Sequence, residues 1–437
     1  MQVGIVGGGL MAVTLAYYLA RDGKQVTILE QDTSLGGING QLVINDHLSI
    51  PRFQHALMPT DNMVRELCTE LGLEDELVFQ SARAGFLHQG SIHPMSNIFD
   101  FLSFPVLGIR DRFRLGRTIL QARRTQDWES LDAQPVKDWL IKHGGTETFE
   151  RIWRPLLEAK FDWVYDNISA TYIWAWLNRM SAIRQGPQLQ GSVGYLRRGH
   201  YSLIHALSEA LLRIGGKIEY QTRVREIEIA GGRVQRVRTQ AGSMEFDVVV
   251  AAVATPVFSH LIPAADAAYL TALSKIKYLG LICPVMLLDR PLSPYWTLNL
   301  TDPSYPFATI IETPHPVYPD YHIVYLPRYT APDNDWMGVS DVDIREAWVS
   351  HLKMLFPDFN DTSIIHFAVN RSRYVEPVHS TNSLEKMIAV STPYEGLFMV
   401  NSSQVYPQLA TSEATIKHAH QVAAQISAYK PVTKVTT

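Results

Sequence analysis

The sequence predicts an α/β fold. A parallel-sheet domain at the amino end is interrupted by a helical subdomain and by a β-rich, mixed-sheet domain, and its last strand and helix lie near the carboxyl end. Three observations predict it. Residues 3–30 run through an apolar strand, a glycine cluster, a helical pattern and a second strand. Asp247-Val248-Val249-Val250-Ala251-Ala252 has the unbroken apolar character of a parallel strand covered on both faces. Leu397-Phe398-Met399-Val400 repeats that character just ahead of a helical pattern over 411–426.

The elements follow in order. Val3-Gly4-Ile5-Val6 is a buried strand, Gly7-Gly8-Gly9-Leu10-Met11-Ala12 opens a helix that runs to Arg21, and residues 25–29 form a strand that ends in Glu30. Met63, Leu67 and Leu71 mark a helix over 62–73 that stops at Gly72. Residues 110–124 read as a helix bearing Arg110, Arg112, Arg114, Arg117, Arg123 and Arg124, preceded by the apolar stretch 99–109. Residues 153–176 read as helices around a pocket wall, and 202–214 as a helix stopped by Gly215-Gly216. Strand-like runs follow at 217–229, 233–239 and 244–253, with Gly231-Gly232 as the hairpin turn. From 276 to 370 the pattern is β-rich around one helix at 342–355. Residues 430–437 are expected to fray.

Composition narrows the class. The 437 residues are 46% apolar and 19% charged, which suits a folded chain of two or three domains' worth of core. A formal net charge of −4 gives no field for gripping a phosphate polymer, so nucleic acid is not an expected partner. The two cysteines, Cys68 and Cys283, supply neither a disulfide framework nor a zinc cluster, and a reducing, cytoplasmic setting is expected. Nothing ahead of Val3 reads as a secretory signal, and the apolar runs 248–257 and 276–288 are too short to span a bilayer. The arginine-rich helix beside an apolar stretch is compatible with a peripheral contact at the inner membrane face, although the plainer reading is the solvated side of a packed helix.

The first thirty residues carry the chemistry. Gly7-x-Gly9-x-x-Ala12 between a strand and a helix, with Glu30 about twenty positions on, is the dinucleotide fingerprint. Gly7 permits the tight turn, Gly8 and Gly9 leave room for a pyrophosphate, and Ala12 lets the helix sit close to the strand. The amides of Leu10 and Met11 start a helix whose positive end faces the phosphates. Glu30, with Gln31 beside it, is placed to accept hydrogen bonds from ribose hydroxyls.

Six and seven residues after Glu30 come Gly36 and Gly37, in Ser34-Leu35-Gly36-Gly37-Ile38. With this second glycine loop the chain resembles the glutathione-reductase-type FAD fold, in the branch of flavin amine oxidases, protoporphyrinogen oxidases, phytoene desaturases and UDP-galactopyranose mutase. The resemblance implies a Rossmann-like FAD-binding domain in which Gly36, Gly37 and Ile38 run beside the pyrophosphate and Val224 touches the adenine. Ser34 and Ile38 stand where the family usually has arginines. The family's Gly-Asp at the last strand is replaced by Asn401-Ser402, which would still donate hydrogen bonds to the cofactor. His55 and Asp61 match part of the mutase pattern H-x-F-H-T-x-D, with Met58 in place of its second histidine. The amine-oxidase lysine aligns with Cys283, and Lys160 is an alternative cation. No cysteine near the carboxyl end is placed for a thioether, so non-covalent FAD is expected.

On this reading 1–90, 191–270 and 391–430 form the FAD-binding domain, 91–190 the helical subdomain and 271–390 the substrate domain. His55 and Arg52 are the candidate catalytic residues, and no metal site is expected. Tyr295, Trp296, Phe307, Glu312, Tyr325 and Arg328 are the expected substrate wall, with Glu312 and Arg328 orienting a polar end. The expected activity is FAD-dependent oxidation or desaturation of a small, largely hydrophobic molecule by hydride transfer to flavin N5, with oxygen or a quinone as electron acceptor. The alternatives are a flavin-dependent mutase acting on a sugar nucleotide and a non-catalytic flavoprotein.

Overall fold

In a computed structural model, residues 1–430 are described apart from 97, 183–190, 303 and 316. The tail expected to fray lies, beyond Lys430, outside the described residues. A five-stranded parallel sheet forms the base, in the order Leu397–Met399, Val248–Ala251, Gln2–Val6, Gln25–Leu29 and Lys217–Glu219. The Val248–Ala251 strand sits between the first and last strands of the chain, in register Ile5↔Val250 and Val250↔Phe398. Its four residues are fully buried, as an unbroken valine run requires. The helices Leu10–Arg21, His200–Arg213 and Ser412–Ala428 share one core with this sheet, through Leu15, Leu19, Leu203, Leu207, Ile416 and Ile426.

The expected strand over 217–229 divides in two. Lys217–Glu219 closes the parallel sheet, and Val224–Ala230 leaves it to pair with Arg233–Thr239. Between them Gln221 takes a positive φ of 51° and the Thr222 amide donates to the Glu30 carbonyl at 2.7 Å. The turn therefore brings Val224 close to the tip of the second strand.

The larger sheet follows the order Arg328–Thr330, Lys277–Leu288, His322–Tyr325, Thr309–Pro314, Thr297–Leu300, Ala84–His88 and Ser91–Pro94, with Ile364–Val378 also paired to Lys277–Leu288. Ala84–His88, within the expected first nucleotide-domain segment 1–90, pairs in parallel with Thr297–Leu300, and its neighbour Ser91–Pro94 continues that sheet. The helical subdomain has its own core of Trp139, Phe149, Trp153, Phe161 and Ile173. It is locked to the nucleotide domain by Arg179, which donates to both carboxylate oxygens of Asp61 at 2.7 and 2.9 Å.

Candidate functional site

The two glycine loops meet. Gly36 N donates to Gly8 O at 2.8 Å, and a parallel bridge joins Gly9 to Gly36. Gly7 holds φ +101°, a left-handed value that an L side chain resists. A Cβ on Gly8 would fall 2.5 Å from Leu35 and 2.6 Å from Glu30 Oε2, whereas one on Gly9 would meet nothing within 4 Å. Gly9 therefore borders open space. It is also the N-cap of the Leu10–Arg21 helix, has no side-chain cap, and its carbonyl receives the first helical bond, from Val13. The amides of Leu10, Met11 and Ala12 consequently have no partner within their own helix.

Glu30 is buried beside this cradle and accepts from the Asp32 amide at 2.9 Å. Burial raises its pKa, with backbone bonds from Asp32, Gly8 and Gln31 opposing. Gln31 is exposed, and Ile38 and Val224 are half-buried. Arg52 runs beside the second glycine loop, its Cδ 3.3 Å from where a Cβ on Gly40 would stand. Its amide donates to Gly40 O at 3.0 Å, and its Nε is buried without a hydrogen-bond partner among the described residues. An uncapped helix start, a glycine-cleared space and an orphaned guanidinium nitrogen together suit a diphosphate.

His55 Nε2 lies 3.2 Å from Ile38 O, an acceptor that is met only when this nitrogen carries the proton. Asn39 Nδ2 is 3.2 Å from the same nitrogen. Burial lowers the pKa of His55 and, together with the neighbouring His55, holds that of His200 well below the usual range. A cavity here is lined by Phe53, His55, Tyr195, His200, Ile323 and Tyr325. His200 Nε2 is 2.8 Å from Ser412 Oγ at the start of the last helix.

Just ahead of that serine, Gln408, Leu409 and Ala410 line a second cavity with Phe161, Tyr172, Glu376, His379 and Tyr406. The Tyr406 hydroxyl donates to Asp132 and meets Ser169 and Thr171, so its ring is fixed from behind. The His379 ring lies 4.6 Å from it, and burial pushes that imidazole down to about 4. Glu376 is held by Lys160 at 3.2 Å, and Lys160 Nζ sits 3.7 Å from the centre of the Tyr329 ring. Burial opposes the charge on Lys160, but Glu376, Tyr329 and Tyr172 raise its pKa overall.

Several expected site residues are engaged elsewhere. Asn401 Nδ2 donates to Val253 O and Thr255 Oγ1, while Oδ1 accepts from Tyr278, so both its donors are spent inside the fold. Ser402 begins the short helical turn that Asn401 caps. Asp61 is 2% exposed and clasped by Arg179, a structural role that leaves the mutase-like pattern with His55 alone.

The expected substrate wall does not assemble. Phe307 packs into the core beside Trp348, and Tyr295 covers Gly85. The Trp296 backbone pairs with Arg83 and Glu312. The Glu312 carboxylate caps the amides of Leu292 and Ser293 and lies 3.0 Å from His322. Arg328 stacks on Trp336 and donates to Pro306 O. Tyr325 lines the cavity beside His55 and His200 and donates to Pro51 O at 3.0 Å. Cys283 is buried and its thiol is pushed up to about 12, so it is no nucleophile. The residues of the second cavity come from segments more than 200 positions apart; Phe161, Ile168 and Tyr172 lie within the expected pocket-wall helices of 153–176, and the others carried no such signal.

Paired glycine loops on a parallel sheet, an acidic residue at the end of the second strand and a mixed-sheet insert define a dinucleotide-binding oxidoreductase. Residues 9–426 match the family model described as flavin containing amine oxidoreductase, and the chain belongs to that family. FAD is its cofactor. The chain is 24% identical over 382 residues to 15-cis-phytoene desaturase of Arabidopsis thaliana, across 82% of this chain and 67% of that protein. It is 24% identical over 300 residues to zeta-carotene desaturase of Capsicum annuum, across 60% of this chain and 50% of that protein. An oxidoreductase from Methanosarcina mazei shares the fold at a TM-score of 0.74 with 17% identity, covering 97% of this chain and 100% of that one. Among the described residues no helix is long and apolar enough to cross a membrane, and no group of three or more metal-ligating side chains occurs.

Proposed function

We propose that this flavoprotein oxidises or desaturates a small, largely apolar molecule held in the cavity of Phe161, Tyr172, His379, Tyr406 and Leu409. That cavity carries the reading: its walls are mostly aromatic and aliphatic, and its charged members, Glu376 and the adjoining Lys160, neutralise each other. The likeness to phytoene and zeta-carotene desaturases supports a hydrocarbon skeleton with C–C single bonds open to desaturation as the substrate class.

Leu10, Met11 and Ala12 would hold the FAD diphosphate through their amides, with Arg52 beside the second glycine loop and Glu30 at the ribose. When bound, FAD supplies a two-electron acceptor, taking hydride at N5 and passing the electrons to oxygen or a quinone. The protein's own contribution is orientation and exclusion of water. Tyr406 and Tyr172 present fixed ring faces to an apolar chain, and residues 408–412 link this cavity to the His55–His200 side. His379 is kept neutral at pH 7 by burial, so its ring adds a polar edge to the cavity without adding charge. Both cysteines are buried, consistent with non-covalent FAD.

The test is anaerobic titration of the FAD-loaded protein with polyenes, porphyrinogens, amines and sugar nucleotides. Bleaching of the oxidised flavin band by an apolar substrate is expected, and Tyr406→Ala should slow it. Bleaching by amines alone would overturn the reading. So would turnover of a sugar nucleotide only by pre-reduced flavin.

A further inference from the structure

The helix Ile109–Arg124 turns its outer face to solvent in an unusual way. Its inner face, Leu115, Thr118 and Ala122, is buried against the helical subdomain. Its outer face exposes Ile109 at 71%, Phe113 at 71% and Leu120 at 51%. At about 100° per residue these three fall within about 40° of one another, so they form one apolar stripe. Arg110, Arg117 and Arg124 repeat every seven positions along one flank of the stripe, and Arg123 lies on the other; all four are exposed. None of the four has an ion pair among the described residues, whereas Arg114 is paired with Asp111. The preceding helix, Ile98–Ser103, is tied to this one by Arg112, which donates to the carbonyls of Leu107 and Leu102, and it exposes Phe99 and Leu102 as well.

We propose that this face is a docking surface for an anionic lipid bilayer, with the helix lying in the plane of the headgroups. Large aliphatic and aromatic side chains standing out from a helix enter the acyl boundary, and flanking guanidinium groups meet phosphates at headgroup depth. Charge selects this occupant over a second copy of the chain. A two-fold interface would bring the same arginine rows against each other, and like charges across an interface disfavour association. The chain as a whole is net negative, so the basic row is a local feature of this face and not a property of the whole surface.

The full-length, FAD-loaded protein is sedimented with phosphatidylcholine vesicles and with vesicles that also contain phosphatidylglycerol. The wild type is expected to pellet with the anionic vesicles and to be released by high salt. Arg110→Gln with Arg117→Gln should weaken binding roughly 25-fold, at about fivefold per arginine near a charged surface. Phe113→Ser with Leu120→Ser should abolish pelleting while leaving the melting temperature and flavin content unchanged, because both side chains are exposed. Equal pelleting of all three proteins would overturn the proposal. It also fails if the wild type stays in the supernatant with both vesicle types. Concentration-dependent dimerisation that the serine variant removes, without lipid binding, would reassign the face to a second copy.

Discussion

The rings of His55 and His200 lie 4.8 Å apart, centroid to centroid, at a cavity that Phe53, Tyr195, Ile323 and Tyr325 also line. Two imidazoles this close cannot both be protonated without mutual repulsion, and burial already disfavours the first charge. Both pKa values are lowered, so the folded chain takes up fewer protons than the unfolded chain in the range just below about 6.5. Stability is therefore complete above that value and falls as the pH drops through it. His379 adds to the same trend, down to about 4. Each histidine kept neutral loses about 1.4 kcal/mol per pH unit in this window. A melting curve measured from neutral pH downward should show a falling midpoint, and His200→Gln should flatten it. A midpoint indifferent to pH would contradict the arrangement.

Gly8 and Gly9 are neighbours with opposite predicted behaviour. Gly8→Ala places a methyl within 2.6 Å of both Leu35 and Glu30, so protein stability should fall by about 1–3 kcal/mol. Gly9→Val meets no protein atom within 4 Å of its Cβ, and φ at Gly9 is an ordinary −73°. That variant should melt near the wild type when both are stripped of FAD, yet bind FAD about tenfold to a hundredfold more weakly, because its side chain fills the space beside the helix amides. Flavin titration of the stripped proteins, followed by fluorescence quenching, separates the two effects.

Those glycines also mark how far the sequence could be read. The strand–glycine–helix–acid order is local, and local order is what chain periodicity encodes; the structure reproduces Leu10–Arg21 and Gln25–Leu29 at the expected bounds. Val224 was singled out by the family resemblance and not by periodicity, which read 217–229 as one strand where the structure has two. The substrate wall was not legible. Glu312 and Arg328 look like a recognition pair in the sequence, but Glu312 is consumed by two amides and His322, and Arg328 by Pro306 and the Trp336 ring. Phe161, Tyr172, Glu376, His379 and Tyr406 converge only through the packing of the helical subdomain on the long strand Ile364–Val378 and the last segment, a non-local event that no spacing announces.

Asp61 and Arg179 join two units of the fold through a bidentate pair whose carboxylate is 2% exposed. Arg179→Met would leave that carboxylate buried and uncompensated, at a cost of about 3–5 kcal/mol. Combining it with Asp61→Asn removes both charges and should recover most of the loss, since Asn can still accept from the Met58 amide now bonded to Asp61 at 2.8 Å. Urea unfolding of the two single variants and the double variant measures the coupling directly. A double variant as unstable as Arg179→Met would show that the pair is not what holds this contact.

Lys160 and Glu376 pose the same physical question at the substrate cavity, where the answer bears on activity. Lys160 is held by the carboxylate at 3.2 Å and by the face of Tyr329, and Glu376 forms part of the cavity wall. Lys160→Met should destabilise the protein by about 3–5 kcal/mol, because Glu376 is left charged in a half-buried site. Adding Glu376→Gln discharges that site and should restore a melting temperature near the wild type. If the pair serves only to hold the helix Arg154–Phe161 against Ile364–Val378, the stable double variant will reduce its flavin with substrate as fast as the wild type. If the cavity is the substrate chamber, the double variant folds and binds FAD normally, but its rate of anaerobic flavin reduction at low substrate falls about tenfold or more, the change expected when a polar group orienting the bound molecule is lost. Stopped-flow reduction of this one protein distinguishes a brace from a binding site.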